Sequence, residues 1–126
     1  MTVQELLEGY AGGKRDFTSI SLRGAVLSGV NLNGAILTGA DLTGADLRSA
    51  DLSSAEMKGA NLTGADLNDA DLYDTRLSGA NLTSANLTGA NLSSAHFQKA
   101  ILNRADLRDA KLFGAYLSYA DLSYAN

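Results

Sequence analysis

The single histidine, His96, stands twenty residues after Arg76 and twenty before Tyr116. An imidazole can serve as a general base or as a metal ligand. Glu56 precedes Arg76 by the same interval, and Asp46/Asp66 and Asp51/Asp71 repeat it, an arrangement of carboxylates that could hold a cation. Each feature has a plainer reading. No second imidazole and no cysteine is present to complete a transition-metal site with His96, which reads as an outward surface residue. Glu56 and Arg76 read as an exposed ion pair worth about 0–1 kcal/mol. The aspartates can accept nearby backbone N–H groups at chain corners without any cation. No serine lies in a nucleophile setting such as G-x-S-x-G, and no acid–base–orienter trio is discernible. The expectation is a chain that is not an enzyme and holds neither metal nor cofactor.

The elements that position these residues follow from a five-residue repeat, as in ADLTGADLRSADLSSAEMKG at residues 40–59. Leu recurs every fifth position from Leu22 to Leu122, with Phe17, Met57 and Phe97 standing in for it. The register holds from Arg15 to Tyr124 over 22 units. Two residues before each large apolar residue sits Ala, except at Arg15, Ile20, Val30 and Thr75. A helix turning about 100° per residue would spread these leucines over every side. A flat strand fails as well, because five steps reverse the face. The pattern works only if the chain turns a corner once per unit, with Ala at i−2 and Leu at i pointing inward and i−1 outward. Gly at i+2 in ten units, among them Gly24, Gly64 and Gly114, suits a turn site with positive φ. Phe17, Met57 and Phe97 lie forty apart, and Ile36, Glu56, Arg76, His96 and Tyr116 follow at twenty, which implies four walls per circuit.

Length and composition bound the rest. With 126 residues the chain is one domain. A net charge of −4 argues against direct nucleic-acid or anionic-membrane binding, each of which needs a basic surface. No apolar run approaches the ~20 residues that cross a bilayer, and residues 1–20 do not resemble a signal peptide, so a cytoplasmic location is expected.

The unit A(D/N)LXX over residues 15–124 resembles the pentapeptide-repeat family. The resemblance implies an all-β fold, a right-handed quadrilateral parallel β-helix of about five and a half coils, a rod of roughly 26 Å at ~4.8 Å per coil. Residues 1–14 read as an N-terminal capping helix and linker, and 15–126 as the β-helix. Thr2 with Glu5 forms a capping-box pattern, Val3, Leu6, Leu7 and Tyr10 make one apolar face, and Gly12 and Gly13 end the helix. This leader resembles those of short cyanobacterial members.

Two surfaces stand out. An edge carrying Tyr73, His96, Phe113, Tyr116 and Tyr119 is the candidate protein-binding surface, set against simple drift at tolerant outward positions. At the C-terminal coil, with Leu117, Leu122 and Tyr124, either the aromatics fold over the last leucines as a lid or the end docks on a partner, a second copy giving a homodimer. The expected function is a non-enzymatic interaction or structural scaffold with an unidentified protein partner. The alternative, implied by quinolone-resistance members of the family, is a DNA-mimic protector or inhibitor of a type II topoisomerase (gyrase). Against it, those relatives typically carry a C-terminal dimerisation helix that this chain does not show. Eight of the fourteen acids here also fall at i−1, where backbone would engage them.

Overall fold

A computed structural model describes residues 1–126. Its single helix, α1 (Val3–Ala11), begins at Thr2, whose hydroxyl accepts the Glu5 N–H at 3.1 Å while the Glu5 carboxylate accepts the Thr2 N–H at 3.3 Å. This reciprocal bonding satisfies two amides that the first turn leaves free. The helix stops at Gly12, and Gly13, at φ 100°, redirects the chain. Leu6 is fully buried against the first circuit, with Val3 and Tyr10 packed beside it. The Tyr10 hydroxyl donates to the Asn33 carbonyl at 2.7 Å, and the Arg15 guanidinium lies over the Tyr10 ring, 3.8 Å from its centroid. The amphipathic face thus seals one end of the stack.

From Asp16 onward the chain contains no extended strand, only turns joined by single-residue parallel bridges. Every bridge, from Asp16–Ile36 to Ile101–Asp121, joins a residue to the one twenty further on. A circuit is therefore four five-residue units, and the four walls are led by Phe17, Leu22, Leu27 and Leu32. Between circuits the N–H of each large inward residue donates to a carbonyl nineteen residues ahead at 2.7–2.8 Å, as Leu37 does to Glu56. In return the outward residue donates backwards, as Glu56 does to Ala35 at 2.9 Å.

Within each unit, the N–H at i+3 donates to the carbonyl at i, as Ala40 does to Leu37 at 3.0 Å. The i+2 residue has φ between 55° and 70° at every corner. That combination is type II turn geometry. Glycine suits it, yet twelve corners use other residues, including Lys99, Arg104, Tyr119 and Tyr124.

The interior is a continuous cluster of leucines and alanines, with Phe17, Met57, Phe97 and the capping Leu6. Thr75 replaces one inward Ala and is fully buried, and its hydroxyl donates to the Leu52 carbonyl at 2.8 Å. That bond removes the penalty a buried hydroxyl would otherwise carry. Ala is required at i−2 because the tube is narrow: Ala65 and Ala85 are 1% exposed and enclosed on all sides. Ala65→Leu or Ala85→Leu should destabilise the tube by about 1–3 kcal/mol through overpacking, read as a lower urea midpoint at unchanged m-value.

Candidate functional site

The outward column of the Phe17 wall runs Asp16, Ile36, Glu56, Arg76, His96, Tyr116, bridged in that order. Arg76 and Glu56 approach to 3.6 Å with both side chains about half exposed, so the pair is a solvated surface contact. His96 and Tyr116 stack with ring centroids 4.8 Å apart and planes inclined at 22°. The Asp74 carboxylate reaches around the preceding corner to 3.4 Å from His96 Nε2. Asp74, His96 and Tyr116 thus form one connected patch.

The other predicted edge residues are not drawn into it equally. Tyr73 and Phe113 share the outer corner of the Leu32 wall, two circuits apart with Ser93 between them, as the Asp74–Ser93 and Ser94–Phe113 backbone bonds show. Tyr119 lies at the far corner of the Phe17 wall, above Lys99, whose N–H donates to the Ser118 carbonyl. The structure therefore places Tyr73, His96, Phe113 and Tyr116 along one edge and Tyr119 across the wall from it. Asp74, which the repeat places at the corner preceding the column together with Tyr73 and Phe113, is the one of the three that closes on His96. It belongs to a corner column and meets His96 only because corners of one circuit overhang the wall of the next.

At the C-terminal end the aromatics form no lid: Phe113, Tyr119 and Tyr124 are 87%, 88% and 83% exposed. Leu112 and Leu122 of the last circuit are 39% and 40% exposed, whereas inward leucines from Leu22 to Leu102 are at most 3% exposed. Leu117 is half-buried. The Arg104 guanidinium lies 5.8 Å from the Tyr124 ring centroid, so a cation sits behind the aromatic rim.

The pentapeptide repeats family matches residues 16–53, 55–93 and 90–126, with eight copies of its unit. The chain belongs to the pentapeptide-repeat family. A crystal structure of Rfr23, a pentapeptide-repeat protein from the cyanobacterium Cyanothece 51142, superposes with TM-score 0.73 at 28% identity, covering 98% of both chains. A pentapeptide-repeat protein from Nostoc Pcc 7120 is 39% identical, with TM-score 0.52 over 91% of this chain and 94% of that one. Trypsin-treated QnrB1, a plasmid-mediated fluoroquinolone resistance protein, gives TM-score 0.58 at 28% identity over 87% of this chain and 61% of that one. No curated protein matches. No helix is long and apolar enough to cross a membrane.

In this pentapeptide-repeat tube the outward Asp and Asn residues have a structural task. All eight aspartates at i−1 (Asp16, Asp41, Asp46, Asp51, Asp66, Asp71, Asp106 and Asp121) accept the N–H of the residue two further on. Asn61, Asn81 and Asn86 make the same bond through their amide oxygens. The hydroxyl of Thr18 and the neighbouring Lys14 help hold the Asp16 carboxyl below the usual range, and the Thr43 and Ser123 hydroxyls do likewise for Asp41 and Asp121. The Arg48 side chain, through its hydrogen bonds, holds Asp46 at about 2, and Arg108 lowers Asp106. Because these folded values lie below the ordinary ~3.9, the stabilisation they bring is complete above about pH 5 and is lost as pH falls toward 2. The urea midpoint should be flat from neutral pH to about pH 5 and fall steeply below pH 4. Asp41→Asn with Asp121→Asn should keep the neutral midpoint and shrink that fall, because the amide accepts the same N–H without titrating.

Proposed function

We propose that this chain is a non-enzymatic interaction scaffold, a right-handed four-walled tube whose regular walls carry one protein-binding edge and one self-associating end. The filled interior supports this reading, since a tube packed solid with Leu and Ala has no concave apolar chamber for a small substrate. The observation that carries it is the Asp74–His96–Tyr116 patch with Tyr73 and Phe113 alongside, where aromatic rings and paired charges replace the Asn, Asp, Ser and Thr found elsewhere on the walls. Rings of this kind give contact area at low entropy cost. The cysteine-free sequence needs no oxidising compartment, which supports a cytoplasmic setting.

A second reading, protection of a type II topoisomerase, draws on the likeness to QnrB1. The acidic half of the tube favours it: residues 16–75 hold nine carboxylates and three cations, a net −6. Residues 76–126 hold three carboxylates and five cations, a net +2, so the acidic surface does not run the length of the rod.

The self-associating end is the last circuit, with a second copy of the chain as its occupant. Its open leucines, Leu112 and Leu122, are about two-fifths exposed, and Tyr119 and Tyr124 stand at corners of the same circuit, 88% and 83% exposed.

Immobilised wild-type chain should retain a partner from cell extract that the Tyr73→Ser/Tyr116→Ser variant does not. Equal retention by both would remove the edge. Gyrase supercoiling unaffected at tens of micromolar chain would dispose of the second reading. In light scattering the chain should read twice its 13.1 kDa at high micromolar concentration. Tyr119→Gly/Tyr124→Gly should weaken that dimer at least tenfold, about 1.4 kcal/mol or more. The variant should still fold, since glycine suits both left-handed corners.

A further inference from the structure

We propose that the two ends of the tube are complementary and that α1 is the stop between them. While α1 is docked, the last circuit can meet only another last circuit. Once α1 is lifted, the last circuit of one copy accepts the first circuit of the next. The inference rests on the self-association just proposed and specifies what limits it.

The backbone makes the argument. Between any two circuits, the earlier one offers N–H groups at i and i+2 and carbonyls at i−2, and the later one offers carbonyls at i−1 and i+1 and N–H groups at i−1. At the last circuit the N–H groups of Leu112, Gly114, Leu117, Tyr119, Leu122 and Tyr124 and the carbonyls of Ala110, Ala115 and Ala120 have no backbone partner. At the first circuit the matching set is unpaired: the N–H groups of Asp16, Ser21, Val26 and Asn31, and the carbonyls of Asp16, Thr18, Ser21, Arg23, Val26 and Ser28. Each end lacks what the other supplies. Two last circuits brought together oppose mostly donor to donor, so a closed pair depends on side chains.

Charge does not choose between the two contacts: the first circuit holds Asp16 and Arg23, and the last holds Arg108 and Lys111 against Asp109 and Asp121, so each sums to zero, and the backbone pattern alone sets the preference. What stands in the way is α1. Leu6 fills the apolar opening of the first circuit, and the Tyr10 hydroxyl takes the Asn33 carbonyl, which belongs to the very acceptor set an incoming copy would use. Contact between unlike ends does not close on itself, so without the stop the product is a filament.

The chain has no cysteine, so introduced thiols report the geometry cleanly. Ser21→Cys and Lys111→Cys, both at exposed positions near opposite ends, would be made as separate proteins, one of them labelled with nitrogen-15. They would be mixed with a bis-maleimide reaching about two strand spacings. With Leu6→Glu in both proteins, links between positions 21 and 111 should dominate, and the weight-average mass in sedimentation should rise several-fold with concentration. With wild-type α1, only links between two positions 111 should form. The milder Leu6→Ala/Tyr10→Ala pair, which buries no charge, should give the same 21–111 link. Absence of that link in both lifted variants, with circular dichroism showing the tube intact in at least the milder one, overturns the proposal. So does its presence with α1 docked. Loss of the 111–111 link alone removes the closed dimer, and the 21–111 result still decides the role of α1.

Discussion

A left-handed residue at every fifth position is the constraint on which the rest of this tube depends. Without it the chain would carry its leucines to alternate faces, and no common interior would exist. Single-residue bridges could not supply the bend, because an isolated bridge fixes a separation and not a direction. The i to i+3 bond within each unit turns the chain through a corner, and the bonds between circuits then align one corner above another. A left-handed conformation costs a non-glycine residue about 1 kcal/mol or more. The chain bears that cost at twelve corners, and at nine of them the same residue places an N–H where the next circuit needs it, as Lys99 does toward the Ser118 carbonyl.

The Asx bonds at i−1 form a second layer that frees the surface from the fold. Carboxylate and amide satisfy the same N–H two residues on, so Asp and Asn exchange along a wall with little effect on the corner. Asn86 donates to Asp66 and Asn91 to Asp71 across adjacent circuits, while Asp46 over Asp66 and Asp51 over Asp71 remain stacked like charges, the first pair with Arg48 beside both. Charge can therefore be distributed for reasons unconnected with holding the tube together. In this chain it is distributed unevenly, with the acidic excess between Asp41 and Asp74 and a net positive stretch from Arg76 onward.

Much of this was legible in the residues because the register never slips. The inward Leu and Ala rows, the capping box at Thr2 and Glu5, and the columns spaced by twenty are all local or strictly periodic signals. What escaped depends on neighbours in the adjacent circuit. Nothing in Ser49, Asp69 or Tyr119 taken singly announces a positive φ; only their shared position in the unit does. Thr75 looked like an interruption of the Ala row, yet its hydroxyl finds the Leu52 carbonyl twenty-three residues back. That Asp74 stands at the corner beside the His96 column was legible, but not that its carboxylate closes on the imidazole, at an offset of twenty-two. The choice between a lid and an open end turned on side-chain direction, and the sequence allowed either.

A stack of near-identical circuits has little room for individuality in its middle, since each wall must repeat the same inward pair and the same turn. What distinguishes one such tube from another is pushed to the outward positions and to the ends. Tyr119 and Tyr124 show this most clearly. Both hold left-handed corners that glycine would hold at less strain, and both project almost wholly into solvent. Tyr119 packs on nothing in the interior, and Tyr124 gains only a loose cation–π contact with Arg104. Strained backbone beneath an exposed aromatic ring stabilises nothing in the isolated tube. That combination of left-handed backbone, exposed ring and open leucines is the reason the proposed self-association is placed at this end.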